Sequence, residues 1–425
     1  MENYTVILFV LGLIILLTAL AERLNWSSPI FLIIAGLLLS LVPGFRPIPI
    51  DPEIIFLLFL PPLLYDAAFK IPQKDFWEHY STISSLAFGL VFLTTVGIAV
   101  LSHYMIPNMN WPLSFLLGAI LAATDAVAAI GITKNLGLSH RTTVILEGES
   151  LLNDASALVA YKFALASVAG AAFIWWQAGG TFLLLIGGGV LIGWSMALVL
   201  GFLLRAVKNN PTAVNSFLLL FPFVTYLLAE DFHVSGVIAV VVLGFIVSKK
   251  GKIYFSERIK KQSEHVWDMV IFLLNGLVFI LIGLELEEVL PELDTQEMIV
   301  FSLYALAITL LAIVIRMLRI FLQRKKLKKG LQKSQKDNKR NISENVLINI
   351  QESLVISLSG MRGIVSLAIA LALPETLENN SPFPMRAEIL FITFMVILYS
   401  VVGQGMLLPI ILKKDNSKEA QSTED

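Results

Sequence analysis

The sequence predicts an all-α integral membrane protein: about thirteen transmembrane helices in two inverted-topology halves, with helices five and twelve interrupted. Three observations carry the membrane assignment: composition, the recurrence of long apolar runs, and the alternation of basic residues between loops. Hydrophobic residues make up 56% of the 425 residues and charged residues 15%, whereas soluble domains carry about 25% charged residues. Mean hydropathy is +0.79. The chain has no cysteine, which removes disulfides and thiolate metal sites from consideration. Its formal net charge of -1 points to no particular partner, and no nucleic acid is expected. Met1-Glu2-Asn3-Tyr4 lacks the basic stretch and cleavage site of a signal peptide, so the first apolar run reads as a retained spanning helix.

A helix needs roughly 20 largely apolar residues to cross the hydrocarbon core. Such runs fall at 5–21, 28–43, 52–69, 82–106, 112–133, 143–169, 180–206, 213–229, 234–248, 266–285, 298–323, 352–374 and 387–412. The second and ninth are short, and Pro61-Pro62 is expected to kink the third. Loops after odd-numbered runs carry Arg23, Lys70, Lys74, Lys134, Arg141, Arg205, Lys208, a cluster from Lys249 to Lys261, and the stretch from Arg324 to Arg340. Loops after even-numbered runs carry only Arg46 and Arg386. The positive-inside bias therefore places the N-terminus outside and the C-terminus in the cytoplasm. Residues 1–415 read as one membrane unit. The basic segment 324–351 reads as a solvated cytoplasmic loop touching anionic lipid headgroups, and 416–425 as a short cytoplasmic tail.

Charges inside the membrane are costly, about 2.5–3.5 kcal/mol each at the bilayer centre on insertion scales, and by default mark function. The deep acids are Asp66, Asp125, Glu147, Glu149 and Asp154; the deep bases are Lys162 and Arg362. Counting about 1.5 Å per residue from opposite faces puts Asp125 roughly 20 Å deep, Asp154 roughly 17 Å and Arg362 roughly 15 Å. All three fall near the midplane. Along the sixth run, Glu147, Ser150 and Asp154 share one helix face, while Glu149 and Asn153 share its neighbour. Hard oxygen donors line this helix, the kind a small cation prefers.

The fifth run is interrupted by Thr124-Asp125, and the twelfth by Ser357, Ser359, Gly360, Arg362, Gly363 and Ser366. If runs 1–6 and 8–13 are halves joined by the seventh, each interrupted helix is fifth in its half, the arrangement of a transporter site. Gly360 and Gly363 permit a break in the twelfth run; the fifth has no glycine before Gly131 to permit one. Arg362 is placed to offset helix-end dipoles or to pair with Glu149. Lys162, Glu147 and the five histidines (His79, His103, His140, His233 and His265) read as structural or interfacial, with no metal-ligand spacing among them.

Three segments resemble signature regions of the monovalent cation:proton antiporter-1 family, the sodium/proton exchangers. They are Thr124-Asp125-Ala126-Val127-Ala128, Glu149 to Asp154, and Gly360 to Ser366. Leu60 to Asp66 resembles a fourth, with Asp66 where the family more often has Glu. The resemblance implies a homodimeric exchanger in which the interrupted helices five and twelve cross, helices 1–3 and 7–10 form the dimerisation side and helices 4–6 and 11–13 the transport core. It implies that Asp154 alternately holds cation and proton, and that Ser150, Thr124 (through its carbonyl) and Asp66 complete a Na+ shell with Asp125 nearby. Asn153 is the neutral partner associated with electroneutral exchange, and Glu149 with Arg362 a buried structural ion pair.

The implied mechanism agrees with elementary electrostatics. Burial penalises the ionised carboxylate, and either a proton or a cation relieves the penalty, so the two compete. The expected activity is antiport of Na+, with Li+ or K+ as alternatives, against H+ in a bacterial-type plasma membrane. No cofactor and no enzymatic reaction are expected. A K+/H+ exchanger of the same architecture and a cation channel are the competing readings, the latter lacking a filter-like run. An intramembrane aspartyl protease is set aside for want of a second catalytic aspartate, and serine hydrolysis for want of a histidine at the depth of Ser150.

Overall fold

The computed structural model describes residues 2–24, 28–40, 42, 52–126, 129–130, 138–170, 175–254, 257–284, 293–337, 350–377 and 380–410. Among them the secondary structure is helical apart from one isolated bridge between Thr376 and Pro382. The helices are α1 (Glu2–Arg23), α2 (Ser28–Ser40), α3 (Pro52–Lys70), α4 (Gln73–Glu78), α5 (Tyr80–Met105), α6 (Trp111–Ile120), α7 (His140–Val168) and α8 (Trp175–Val207). They continue with α9 (Pro211–Asp231), α10 (Gly236–Tyr254), α11 (Glu257–Leu284), α12 (Thr295–Asp337), α13 (Ile350–Leu358), α14 (Ile364–Leu371) and α15 (Arg386–Ile410). Every apolar run read from the sequence has helix over at least part of its length. Seven helices among the described residues are long and apolar enough to cross a bilayer, with shorter apolar helices beside them. The chain is an integral membrane protein.

Two compact units divide the chain: Met1–Gln73 with Ala169–Glu288, and Lys74–Val168 with Val289–Asp425. In the first, helices approach closely at small residues, which in lipid substitutes for a hydrophobic driving force. Gly36 of α2 lies against the backbone of Ile280 and Gly283 in α11, and Gly193 of α8 lies against the Ala239 carbonyl in α10. A methyl group at either glycine would meet main-chain atoms rather than a movable side chain. α3 continues helically on both sides of Pro61 and Pro62.

In the second unit α6 begins at Asn110, whose Oδ1 accepts from the Leu113 amide at 3.0 Å, with Pro112 in the first turn. This is the standard chemistry of a helix start. α5 and α15 each contain one π-helical turn, Ser85–Leu90 and Tyr399–Gln404. π-turns are rare and concentrate at functional sites.

The segment 324–351 differs from expectation. α12 runs on to Asp337, so the first half of the basic stretch is helix rather than loop. Lys, Arg, Gln and Leu are good helix formers, and no proline intervenes. Hydropathy ended at the lipid boundary while helix propensity did not. The rest of that stretch, 338–349, and the tail 416–425 lie outside the described residues.

Candidate cation-binding site

The site in the second unit is built from two broken helices and one continuous one. α6 ends at Ile120, residues 121–122 turn, 123–125 have no regular structure, and helix resumes at Ala126. α13 ends at Leu358, residues 360–363 are non-helical, and α14 begins at Ile364. The two interruptions are joined directly: the Asp125 amide donates to the Met361 carbonyl at 2.7 Å. Around that bond, Arg362 Nε donates to the Leu121 carbonyl at 3.0 Å and Ser366 Oγ to the Ala123 carbonyl at 3.4 Å. Gly363 permits the approach, since a Cβ there would lie 2.6 Å from Asp125 Cβ.

The interruption of the fifth apolar run therefore exists without a glycine. Helix breaks leave backbone groups that must find other partners, and here the partners come from elsewhere in the chain. Ser150 and Asn153 of α7 supply two of them. Ser150 Oγ donates to the Thr124 carbonyl at 2.9 Å, and the Thr124 amide donates to Asn153 Oδ1 at 3.4 Å. Asn153 Nδ2 in turn donates to Thr124 Oγ1. Thr124, Ser150 and Asn153, read from the sequence as site residues, thus form one bonded group.

Asp154 is the next residue of α7 and is 5% exposed. Its Oδ1 is buried and has no hydrogen-bond partner among the described residues. An acceptor of this kind costs free energy unless a proton or cation reaches it. Asp66 is placed in the first unit, where its Oδ2 lies 2.9 Å from Lys70 Nζ.

The expected pairing of Glu149 with Arg362 is replaced by another. Glu149 is held in bidentate fashion by Arg316 of α12, with Nη2 to Oε2 at 2.6 Å and Nη1 to Oε1. Arg316 Nε also donates to the Ile356 carbonyl at 2.8 Å. Arg362 instead serves carbonyls, donating from Nη1 to Gly360 at 2.6 Å besides its bond to Leu121. Its own amide donates to Ser400 Oγ in the π-turn at 3.0 Å. The reason is geometric: a planar fork matches a carboxylate in bidentate fashion, and Arg316 reaches Glu149 from a continuous helix. Arg362 lies inside the break, where bare carbonyls need donors. Arg316, 2% exposed, sits well inside the eleventh apolar run. Its distance from that run's polar end was the available signal.

Comparison with known proteins gives this arrangement its context. The transmembrane sodium/hydrogen exchanger family matches residues 8–414. The chain belongs to that family. A sodium, potassium, lithium and rubidium/H+ antiporter of Bacillus pumilus is 34% identical over 92% of this chain, and the chain spans only 58% of that relative's length. The Na+/H+ antiporter NhaH of Halobacillus aidingensis is 30% identical, with 96% of each chain covered. The solved sodium proton antiporter MjNhaP1 of Methanocaldococcus jannaschii superposes with a TM-score of 0.68 at 22% identity, over 97% of this chain and 99% of that one. That likeness speaks to the fold. The exchanger family is a family of transporters and not a class of enzymes.

Proposed function

We propose that the chain exchanges a monovalent cation, Na+ foremost, for protons across the bacterial plasma membrane, with Asp154 as the carboxylate that holds each in turn. The observation that carries this is the buried, unpartnered Oδ1 of Asp154 beside a bonded group of hydroxyl, amide and carbonyl oxygens. A proton neutralises that oxygen by covalent attachment, and a small hard cation does so by coordination. The reading gives such an ion Thr124, Ser150 and Asp125 as its further oxygen ligands. Asp66 is retained as a cation-handling carboxylate on the resemblance.

Asn153 is committed to Thr124 and brings no charge. One carboxylate then exchanges one charge for another, which supports an electroneutral cycle. The same proposal assigns dimerisation to the helices of apolar runs 1–3 and 7–10 and transport to those of runs 4–6 and 11–13, in two inverted halves. K+ is the second reading, favoured by the ion range in the printed name of the Bacillus pumilus relative. No observation favours a channel.

Purified protein in proteoliposomes, with a trapped pH dye, tests the proposal. Na+ added outside should move protons in wild type at a rate insensitive to a valinomycin voltage clamp, and in Asp154→Asn it should move none. Full cation-dependent flux in correctly folded Asp154→Asn would overturn it.

A further inference from the structure

The first unit holds a charge cluster that the site around Asp154 does not use. Lys70, the last residue of α3, places Nζ 2.9 Å from Asp66 Oδ2 and also 2.9 Å from Asp268 Oδ1 on α11. The two acids are unlike. The Asp66 side chain is 10% exposed and the Asp268 side chain 64%. Next to Asp66 along α3, Tyr65 packs on Trp267 at 5.1 Å and on Phe69 at 5.8 Å between centroids. Among the described residues Lys70 supplies the only cation in contact with Asp66.

The backbone on either side of Lys70 is fixed. Ser248 Oγ donates to the Phe69 carbonyl at 2.7 Å, and Gln73 Nε2 to the Phe245 carbonyl at 2.5 Å. The end of α3 is thereby fastened to α10, and the lysine side chain is left as the movable part. Its ammonium cannot leave Asp66 alone, because an unpaired buried carboxylate is strongly unfavourable. It can leave when another single positive charge takes its place. Asp268 then receives it at the water-exposed end, where an ion pair is weak enough to be reversible.

We propose that Lys70 is a tethered counter-ion that competes with the transported cation for Asp66 and rests on Asp268 while that cation is held. The exchange is one charge for one, which suits a monovalent ion. This rests on the reading of Asp66 as a cation-handling carboxylate, and the test separates the two.

The experiment measures the Na+ KM for proton flux in proteoliposomes at alkaline pH, where protons compete least. Lys70→Met removes the competitor and should lower KM about two- to fivefold, the range expected for a partly exposed pair. Asp268→Asn removes the resting place and should raise KM by a similar factor. The double variant should follow Lys70→Met, and Lys70→Arg should stay near wild type. A purely structural cluster would weaken transport in both single variants alike, so a KM raised or unchanged in Lys70→Met overturns the proposal. Should Lys70→Met fail to fold, Asp268→Asn at an exposed position carries the decision, and an unchanged KM there overturns it. Failure of the underlying reading looks different: Asp66→Asn would then keep the wild-type KM.

Discussion

Arg316 is a charged side chain that reading hydropathy alone misplaces. A long basic residue in the last third of an apolar run is ordinarily assumed to reach for water, so the sequence marked Lys162 and Arg362 as the deep bases and passed over Arg316. The run's composition could not say which arginine faces Glu149, because that depends on which helix crosses which. Replacing Arg316 by Leu strands a buried carboxylate and should cost on the order of 3–5 kcal/mol. Replacing Glu149 by Leu as well should restore much of that loss, and a double-mutant cycle followed by thermal unfolding in detergent reads it. The cycle between Glu149 and Arg362 should show little recovery, since Arg362 would leave the Leu121 and Gly360 carbonyls bare whatever stands at 149. A second residue acts outside the membrane. Burial of His79, in the turn between α4 and α5, pushes its pKa below the ordinary histidine value; Glu78 opposes this, Arg141 adds to it, and Asp75 and Glu352 oppose it. The unfolded chain therefore binds the proton first on acidification. Stability is fully present above about pH 6.5, declines as pH falls toward the folded-state value, and levels off below it. His79→Gln should flatten that part of the melting temperature against pH curve; an unaltered slope would refute the assignment.

Among the elements, existence and order were legible, and the break in the fifth run was marked only by the polar pair Thr124-Asp125. Apolar length and basic loops mark helices from one-dimensional information, and the glycines at 360 and 363 announce the twelfth interruption. Leu121 to Asp125 carries no such punctuation. It stays out of helix because Arg362, Ser366, Asn153 and Met361 satisfy its backbone groups from elsewhere, a fact no local window contains. Ser150, Asn153 and Asp154 could be found because helical spacing put them on adjacent faces of one helix, and Thr124 because it interrupts an apolar run, but the bonding of Thr124 to Ser150 and Asn153 could not. Gly363→Ala should force the two breaks apart, removing exchange and lowering the melting temperature together; wild-type flux in that variant would show that the contact is dispensable. In the first unit Gly36→Val is expected to part α2 from α11 and to lower stability by about 1–3 kcal/mol, the usual cost of overpacking, with transport kinetics of the surviving folded protein nearly normal.

At the scale of the whole molecule, orientation follows from where the basic residues fall, and the absence of native cysteine makes it measurable. A single cysteine at Pro107, between α5 and α6, should react with a membrane-impermeant thiol reagent added to intact cells. One at Lys325, where α12 continues beyond its apolar part, should react only after the membrane is opened. The reverse pattern would invert the topology. The bond from the Asp125 amide to Met361 lies in a stretch that is neither helix nor strand, where amides ordinarily trade hydrogen for deuterium quickly. Buried and fastened between the two breaks, this one should trade as slowly as those in the middle of α7. Its hydrogen therefore acts as a clock: whenever the two broken helices separate during a turnover cycle, deuterium enters at Asp125, and the labelling rate counts the openings.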